Sequence, residues 1–320
     1  MNNHRLVIRE SPADEQPVRY NIQNRSNPSD MLTTVQDSLE WEELESRGGH
    51  VLRLLALLDG LPVAYATTST LPFLPSQRFA VNVVVLPSWR RRGIARALYG
   101  RLVAFAQEHG ANEISCMIHE SIVPHLQEWL DRDGYRQVAR TRQSELNLHN
   151  YDPECFRHAE EKVLDQGFSL VALASDDTEA NRRRLWELHN LVERDVPWDT
   201  HGPSMQFERF VERVGLKECC VIACDSGRYI GFTNVRDDAL GRAMVGMTGV
   251  HADYRGRGIA FALKARSHRL LKGLGYESVR TFNHVNNPAI LSVNTRMGYV
   301  PMPERAFFVA EIQAIQSNVK

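Results

Sequence analysis

Apolar positions in the last third of the chain change from strand-like to helical spacing across one short polar segment. Residues 244–250 are rich in β-branched and small residues, which predicts a buried strand. Beyond residue 258, apolar residues recur at the spacing of an amphipathic helix, namely Ile259, Ala262, Leu263, Leu270 and Leu271. The segment between them, 250–260 (VHADYRGRGIA), is therefore predicted to join a strand to a helix.

This junction has the features of an anion-binding turn. Gly256 and Gly258 let the backbone pass close to a ligand and leave the first N–H groups of the helix pointing outward. The helix dipole adds partial positive charge there, and Arg255 and Arg257 add full charge. A pyrophosphate group suits such a turn.

The same pattern occurs 165 positions earlier, at 85–95 (VLPSWRRRGIA). An amphipathic helix is again predicted behind it, from Ile94, Ala97, Leu98, Leu102 and Phe105. Each copy also ends in a Gly-Tyr pair, at 134–135 and 298–299, 164 positions apart. The repeat of turn, helix and ending indicates a duplicated unit.

The remaining pattern predicts strands and helices in the same order in both halves. In the first half we expect strands at 5–9, 50–58, 62–70, 78–86, 113–118 and 135–148, and helices at 14–25, 29–47 and 122–132. In the second half we expect strands at 168–174, 218–224, 229–235, 278–283 and 305–314, and helices at 178–193, 204–214 and 288–296. Ser29 is a possible helix cap, and Asp59-Gly60 predicts a tight hairpin turn.

The predicted fold class is α/β, with two units of one plan, each an α+β mixed sheet flanked by helices. A chain of 320 residues is comfortable for two hydrophobic cores. We expect an N-terminal domain at 1–150, a linker helix at 151–166 and a C-terminal domain at 167–320.

Composition narrows the class of protein. The chain is 43% hydrophobic and 24% charged, as in soluble globular proteins, and its formal net charge of −1 argues against nucleic acid as a partner. No apolar run approaches the roughly 20 residues that span a bilayer, and the N-terminus lacks a signal-peptide core, so we expect a cytoplasmic protein without membrane contact. Five cysteines suit a reducing compartment better than a disulfide framework, and Cys219, Cys220 and Cys224, in a strand-like run without a zinc pattern, are expected to be buried thiols and not metal ligands.

The motifs resemble those of the GCN5-related N-acetyltransferase (GNAT) superfamily. Arg255, Gly258 and Ala260 fit the RxxGxA pattern of its acyl-CoA pyrophosphate loop. Asn283, Asn287, Asn294 and Gly298-Tyr299 form NxxxNxxxxxxNxxxGY, which is similar to the second half of its core. The resemblance implies two tandem GNAT acyl-CoA N-acyltransferase folds. It also implies acetyl-CoA (coenzyme A) as cofactor, contacted by Thr248, Gly249, Val250, Arg255, Gly256, Arg257, Gly258, Ile259, Ala260, Asn287 and Asn294.

By the same resemblance, the first half looks degenerate. Val123 stands at the position of Asn287 and His119 at that of Asn283, and valine makes no side-chain hydrogen bond. Its loop could still hold acyl-CoA, through Val85, Arg90, Arg91, Arg92, Gly93, Ile94 and Ala95. We expect the C-terminal half to be the catalytic one.

The asparagines also have structural explanations. Asn287 before Pro288 is a sound N-cap, which does not exclude contact with the cofactor. Asn294 is a poor residue for the middle of a helix, and it occupies the position at which many family members carry a tyrosine that protonates the departing CoA sulfur. An amide can bind the thiolate but supplies no usable proton, so water or another residue would deliver it.

The resemblance also implies acceptor recognition by the two early helices and the loop that joins them, which here is 193–201. Carboxylates beside an aromatic residue suit a cationic amine, with Asp195, Trp198 and Asp199 as contacts. Catalytic candidates are Glu193, Asp195, His201 and Asn294, and Asp199 is a further candidate base. The alternative is a solvent-exposed polar loop in which Trp198 covers the core.

We therefore expect an N-acetyltransferase that moves acetyl from acetyl-CoA to a primary amine of a small molecule by direct attack in a ternary complex. A covalent route is disfavoured because no Ser or Cys sits in a nucleophile elbow. Acetylation of a protein N-terminus or lysine, and a non-catalytic acyl-CoA-binding sensor or interaction protein, are alternatives. A dinucleotide or ATP site is weakly supported, since no GKS or GKT triplet occurs. The sequence is compatible with a monomer or a homodimer.

Overall fold

The computed structural model describes residues 5–197, 204–238 and 242–317 of the chain. Within these residues the chain forms two compact units. The first contains 5–140 and 305–317, and the second contains 141–197, 204–238 and 242–304.

Twelve strands are present in the described part of the chain, and both units draw on them. They are β1 (Leu6–Glu10), β2 (Val51–Leu58), β3 (Leu61–Thr70), β4 (Arg78–Val85), β5 (Glu113–His119), β6 (Arg136–Asn147), β7 (Ser169–Ala172), β8 (Val221–Asp225), β9 (Arg228–Asp237), β10 (Arg242–Val250), β11 (Ser278–His284) and β12 (Val300–Glu311).

Ten α-helices accompany these strands among the described residues. They are α1 (Gln16–Ser26), α2 (Val35–Arg47), α3 (Ile94–Glu108), α4 (Val123–Arg132), α5 (Arg157–Leu164), α6 (Glu179–Glu193), α7 (Phe207–Arg213), α8 (Ile259–Gly273), α9 (Pro288–Arg296) and α10 (Ile312–Ser317). The prediction of a mixed sheet flanked by helices in each half is confirmed.

The sheet of the first unit runs in the order β1, β2, β3, β4, β5, β12. Neighbouring strands are antiparallel except for β4 and β5, which are parallel. The last neighbour, β12, reaches this sheet from the end of the chain, with Arg305 opposite His119 and Glu311 opposite Glu113. Its sixth strand therefore comes from the other half of the sequence.

The sheet of the second unit repeats this plan with a strand taken from the first half. Its order is β7, β8, β9, β10, β11, β6, again with one parallel pair, β10 and β11. The closing strand β6 pairs with β11 from Ser278 opposite Asn147 to His284 opposite Thr141. The units consequently divide the chain differently from the expected domains at 1–150 and 167–320, because strands β6 and β12 are exchanged between the halves.

One long helix covers the centre of each sheet. Helix α3 buries Leu98, Leu102 and Ala106 completely, in a cluster with Leu54 and Ala64 of the hairpin β2–β3. Helix α8 buries Ala262 and Leu263 in the same way, against Val221 and Ile230. The apolar spacing that predicted these two helices thus marks the face that packs on the sheet.

Local signals gave mixed results at the element ends. The hairpin turn at Asp59-Gly60 is confirmed, with both residues at positive φ (51° and 83°). Ser29 is not the cap of the second helix: it starts a separate 3-10 turn, Ser29–Met31, and Thr34 caps α2. The Asp37 N–H donates to Thr34 Oγ1 over 3.0 Å, and the Thr34 N–H donates to Asp37 Oδ2 over 3.1 Å, a reciprocal capping box.

The other elements follow the predictions with shifted bounds. The segment expected as a linker helix at 151–166 contains a 3-10 turn, Pro153–Phe156, followed by α5. Residues 312–314, expected as the end of the last strand, begin α10 instead. No helix in the described ranges combines the length and the apolar character that crossing a membrane requires.

Three cysteines of the second unit lie in its core, whereas Cys155 is exposed. Cys219, Cys220 and Cys224 are all buried free thiols, as the sequence suggested. Burial raises the pKa of Cys219 to about 11 and that of Cys220 to about 12, so both remain protonated at neutral pH.

Close packing of α6 on the second sheet depends on a glycine. A Cβ placed on Gly249 of β10 would lie 2.4 Å from Cγ2 of Val192, which is itself 5% exposed. This spacing leaves no room for a side chain, so the glycine allows the last turn of α6 to sit against β10.

Gly249→Ala is therefore expected to lower the free energy of unfolding by about 1–3 kcal/mol through overpacking. Adding Val192→Ala should restore part of this loss, giving a favourable coupling in a double-mutant cycle measured by urea denaturation. Gly100→Ala in α3 is the matched control, because a Cβ there meets nothing within 4 Å. It should stabilise the protein by about 0.5–1 kcal/mol. Equal effects of both glycine variants would contradict the packing argument.

Candidate functional site

The centre of the second sheet opens into a cleft. Strands β10 and β11 pair over three positions, from Arg242 opposite Ser278 to Met244 opposite Arg280. Past this point β10 continues to Val250 with β9 as its paired neighbour. Backbone groups of 247–250 on the side away from β9 are therefore left to face the gap.

A β-bulge coincides with the start of this gap. The β9–β10 register shifts between Val245 and Met247, and the side-chain oxygen of Asn234 accepts a hydrogen bond from the Met247 N–H over 2.8 Å. A Cβ on the intervening Gly246 would lie 2.8 Å from Nδ2 of Asn234. The bulge bends β10 away from β11, and Asn234 and Gly246 hold it in place.

The turn that follows β10 is built as the sequence predicted. A 3-10 turn, Ala252–Tyr254, leads into Gly256 and Gly258, which have φ of 78° and 85°. Gly258 is the N-cap of α8, and no side chain caps this helix. The first amides of α8, at Ile259 and Ala260, accordingly have no intrahelical acceptor and are available to an anion.

The two arginines of this turn take different roles. Arg255 folds back: its Nε donates to the carbonyl of Val250 over 3.1 Å, and its Nη2 pairs with the Asp195 carboxylate. Arg257 lies over the Tyr254 ring at 5.3 Å and the Phe168 ring at 5.8 Å. Arg255 thus shapes the turn, with its charge partly offset by Asp195, whereas Arg257 has no carboxylate partner among the described residues.

The first unit keeps this turn in nearly identical form. Gly93 caps α3 at φ 79°, and Nε of Arg90 donates to the Val85 carbonyl over 3.1 Å, as Arg255 does to Val250. Arg91 stands at φ 60° where the second copy has Gly256. A left-handed arginine costs on the order of 1 kcal/mol, so the first copy retains the geometry of the turn despite strain. Arg92 lies over the Trp89 ring at 4.6 Å.

The asparagines on the far side of the second cleft form a polar pair. Asn287 caps α9, with its side-chain oxygen accepting from the Ile290 N–H at 3.5 Å, so the capping explanation has structural support. Asn294 is 2% exposed and donates from Nδ2 to Oδ1 of Asn283 over 2.6 Å. Its own Oδ1 is buried without a partner among the described residues.

The first unit has no such pair. Leu130 lies 164 positions before Asn294, whereas His119, expected at the position of Asn283, ends β5 as His284 ends β11. Leu130 is 1% exposed and belongs to the hydrophobic core. The first unit therefore lacks the polar chemistry found at the inner end of the second unit's cleft, although the turns of the two units agree.

Of the residues predicted in the acceptor loop, the structure describes Glu193 and Asp195. Asp195 is held by Arg255 of the turn. Glu193 Oε2 lies 3.8 Å from Nδ1 of His189, one helical turn earlier on α6. Trp198, Asp199 and His201 lie outside the described residues.

His189 was missed at the sequence level. Its ring packs 5.3 Å from that of Phe210 and 5.9 Å from that of Phe232, and burial lowers its pKa. Its position on the apolar face of α6 gave the only signal, and that signal is shared by any core histidine.

The tyrosines near the cleft are engaged in packing. Tyr254 donates to Oδ2 of Asp225 over 2.8 Å, which raises its pKa. Tyr299 is buried, and its hydroxyl lies 2.8 Å from Nε2 of His268. Burial raises the pKa of Tyr299 well above its ordinary value, which makes it a poor proton donor.

Beside Tyr299 lies a second buried group that sequence reasoning missed. Lys264 of α8 is 1% exposed, its Nζ stands 4.7 Å from the centre of the Tyr299 ring, and it has no hydrogen-bond partner among the described residues. Burial lowers the pKa of Lys264 to about 7. In the sequence Lys264 lies between Leu263 and Ala265 in a predicted amphipathic helix, where a lysine is normally expected to face solvent.

Comparison with known proteins supports the same architecture. The segments 18–135 and 183–299 match the family model described as the Acetyltransferase (GNAT) family. Acetyltransferase SG1711 of Sodalis glossinidius (strain morsitans) is 30% identical over 115 residues, which is 36% of this chain and 75% of that protein.

Two solved structures resemble nearly the whole chain. One is a GCN5-related N-acetyltransferase from Sphaerobacter thermophilus, with a TM-score of 0.74, 18% identity and 96% of both chains covered. The other is a tandem GNAT protein from the clavulanic acid biosynthesis pathway, with a TM-score of 0.73 and 20% identity, covering 97% of this chain and 99% of that one. At these identities the likeness concerns the fold.

The buried lysine gives a prediction about stability. Its ordinary pKa is 10.5 and its folded value is about 7. Between these values the unfolded chain holds a proton that the folded chain lacks, so the free energy of unfolding rises with pH across this window. Lys264→Met should therefore stabilise the protein at pH 7 by about 2–4 kcal/mol, and the gain should shrink towards pH 10.

Thermal unfolding of both proteins at pH 7 and pH 10 measures this difference. The exposed Lys162 provides the control. Lys162→Met should change the midpoint little and equally at both pH values, and a similar pH-independent result for Lys264→Met would refute the argument.

Proposed function

The chain belongs to the Acetyltransferase (GNAT) family and is an acyltransferase, and from this we propose that its second unit transfers acetyl from acetyl-CoA to a primary amine of a small molecule. The observation that carries the assignment to this unit is the cleft between β10 and β11, which ends in uncapped amides on one side and in the Asn283–Asn294 pair on the other. In the first unit, the apolar Leu130 stands at the position of Asn294.

The second cleft fits the parts of acetyl-CoA. The diphosphate would bind the amides at the start of α8, with Arg257 beside it. Unpaired backbone groups of Thr248, Gly249 and Val250 would hydrogen-bond the amides of the pantetheine arm. Asn287 would orient α9 beside the cofactor through the N-cap that it forms. Acetyl-CoA would supply the activated thioester, and these protein groups would hold that thioester in position.

The reaction that fits this site is direct attack of the amine on the thioester carbonyl. Such an attack requires a free amine, a polar group that stabilises the departing thiolate and a route for one proton. Asn294 can hydrogen-bond the thiolate through its amide, but it has no proton to give at neutral pH. We therefore assign proton delivery to water, with Tyr299 excluded by its burial and its raised pKa.

Glu193 is the base that the described geometry favours. It follows Val192, whose side chain packs on Gly249 of the cleft strand, and its carboxylate is partly exposed. Asp195, by contrast, forms an ion pair with Arg255 and would stabilise the turn before α8. A carboxylate at this place would also attract a cationic amine, which supports a small-molecule amine as acceptor.

The pair of equivalent turns allows a matched test. Gly258→Trp should weaken acetyl-CoA binding at least about tenfold and abolish acetyl transfer, because the side chain would cover the amides of α8 at a left-handed position. Gly93→Trp alters the same position of the first turn and should leave acetyl transfer largely intact. Thiol release with a panel of amines, together with calorimetry, measures both effects.

Gly258→Asn is the control for backbone strain, since asparagine tolerates this conformation. It should retain most of the binding. If Gly93→Trp, and not Gly258→Trp, abolished transfer, the reaction would belong to the first unit. If the wild-type protein bound acetyl-CoA but released no thiol with any amine, the proposed reaction would be wrong.

Asn294→Leu tests the polar pair by installing the residue of the first unit. Losing the thiolate contact should lower kcat about 10–100-fold while KM for acetyl-CoA changes little. Steady-state kinetics separate the two parameters. A rise in KM with unchanged kcat would show that Asn294 binds the cofactor rather than the departing sulfur.

A further inference from the structure

Three polar side chains of the first unit form a hydrogen-bonded chain at the end of β5. The Ser121 hydroxyl lies 2.8 Å from Nδ1 of His119, and Nε2 of His119 lies 3.1 Å from Oδ2 of Asp30. Asp30 belongs to the 3-10 turn between α1 and α2, 89 residues away from His119 in the sequence. These hydrogen bonds thus join two distant segments of the unit at the end of β5, the place at which β11 ends with His284 in the second unit.

The backbone fixes the direction of these hydrogen bonds. The Ser121 N–H also approaches Nδ1 of His119, at 3.2 Å, and an amide can only donate. Nδ1 is therefore an acceptor and Nε2 carries the proton, which it donates to the Asp30 carboxylate. It follows that the Ser121 hydroxyl donates to Nδ1. A serine hydroxyl, a neutral imidazole and a carboxylate in this order form the arrangement that activates a nucleophilic serine.

The turn that His119 forms at the end of β5 does not by itself require the Asp30 carboxylate or the Ser121 hydroxyl. In the second unit, Nδ1 of His284 accepts from the Asn286 N–H over 3.1 Å, which makes the same histidine turn after β11. The residue that follows two positions later there carries no hydroxyl. The Asp30 carboxylate and the Ser121 hydroxyl are therefore additions to the turn in the first unit.

The exposure of the three side chains increases from the histidine to the serine, as a reactive site requires. His119 is 3% exposed, the Asp30 side chain is 16% exposed, and Ser121 is exposed at the surface. The imidazole is shielded from water, which strengthens its interaction with the carboxylate, while the hydroxyl remains open to a ligand. Helix α4 begins two residues after Ser121, so the positive end of its dipole lies next to this hydroxyl.

We propose that Asp30, His119 and Ser121 form a second reaction centre, which takes an acyl group from a small activated ester or thioester onto Ser121. The Ser121 Oγ bonds to the acyl carbon as the bond from that carbon to the leaving group breaks. The hydroxyl proton passes to Nδ1 of His119 and from there to the leaving alkoxide or thiolate. Water then attacks the acyl-serine with His119 as base, releasing the carboxylic acid and restoring the hydroxyl.

In this centre Ser121 and His119 touch the reacting atoms, and Asp30 is a positioning residue. The first amide of α4 and the helix dipole would stabilise the oxyanion that forms at the acyl carbon. The reaction needs neither the Asn283–Asn294 pair nor the α8 turn of the second unit, so it is independent of the acetyl transfer proposed above.

The probe is p-nitrophenyl acetate, added to the full chain carrying Gly258→Trp so that the second unit does not contribute. We expect p-nitrophenolate release and, after acid quench, an acetyl group on the peptide that contains Ser121. Ser121→Ala should remove the adduct, and Asp30→Asn should lower kcat for release about 10–100-fold while KM for the ester changes little. Acetyl-CoA in place of the ester tests whether a thioester also serves.

Ser29→Ala is the matched control, since it removes an exposed hydroxyl next to Asp30. It should release p-nitrophenolate at the rate of its parent. If Ser121→Ala released it as fast as Ser29→Ala, or if the acetyl group were found elsewhere, the proposal would be overturned. Because Ser121 is exposed, its loss should leave the thermal unfolding midpoint unchanged, so a dead variant cannot be ascribed to misfolding.

Discussion

The short parallel contact between β10 and β11 is the constraint on which the second unit depends. Three paired positions hold the strands together, and a bulge held by Asn234 at Gly246 then turns β10 away. A fully paired sheet would leave no free backbone groups and no space for a ligand. The glycines that follow β10 extend this row of unpaired backbone groups, because they lead the chain into α8, whose first amides have no capping side chain.

The elements and the turn could be predicted from the sequence because their signals are local. Glycine at positive φ, helical spacing behind it and the Asp59-Gly60 hairpin each depend on residues a few positions apart. The exchange of β6 and β12 could not be predicted, because strand pairing between distant segments leaves no trace in periodicity. For the same reason the buried Lys264 and the chain from Asp30 to Ser121 became visible only in the folded structure.

The two units show which parts of a duplicated scaffold changed and which were retained. Both turns keep a left-handed glycine cap and an arginine folded onto the end of the preceding strand. The inner ends of the clefts differ, with Leu130 in the core of one and the buried amide of Asn294 in the other. His119, taken from the sequence as a sign of erosion, is instead part of an ordered polar group. A lost family residue is therefore weak evidence that a site is inert.

The exchanged strands have a consequence for synthesis on the ribosome. Residues 305–311, which cover the open edge of β5, are translated after the whole of the second unit. Until then the nascent first unit exposes the unpaired N–H and C=O groups of an edge strand, which can associate with other chains. Cutting the gene between the repeats would make this exposure permanent, since β12 would be missing from the first product.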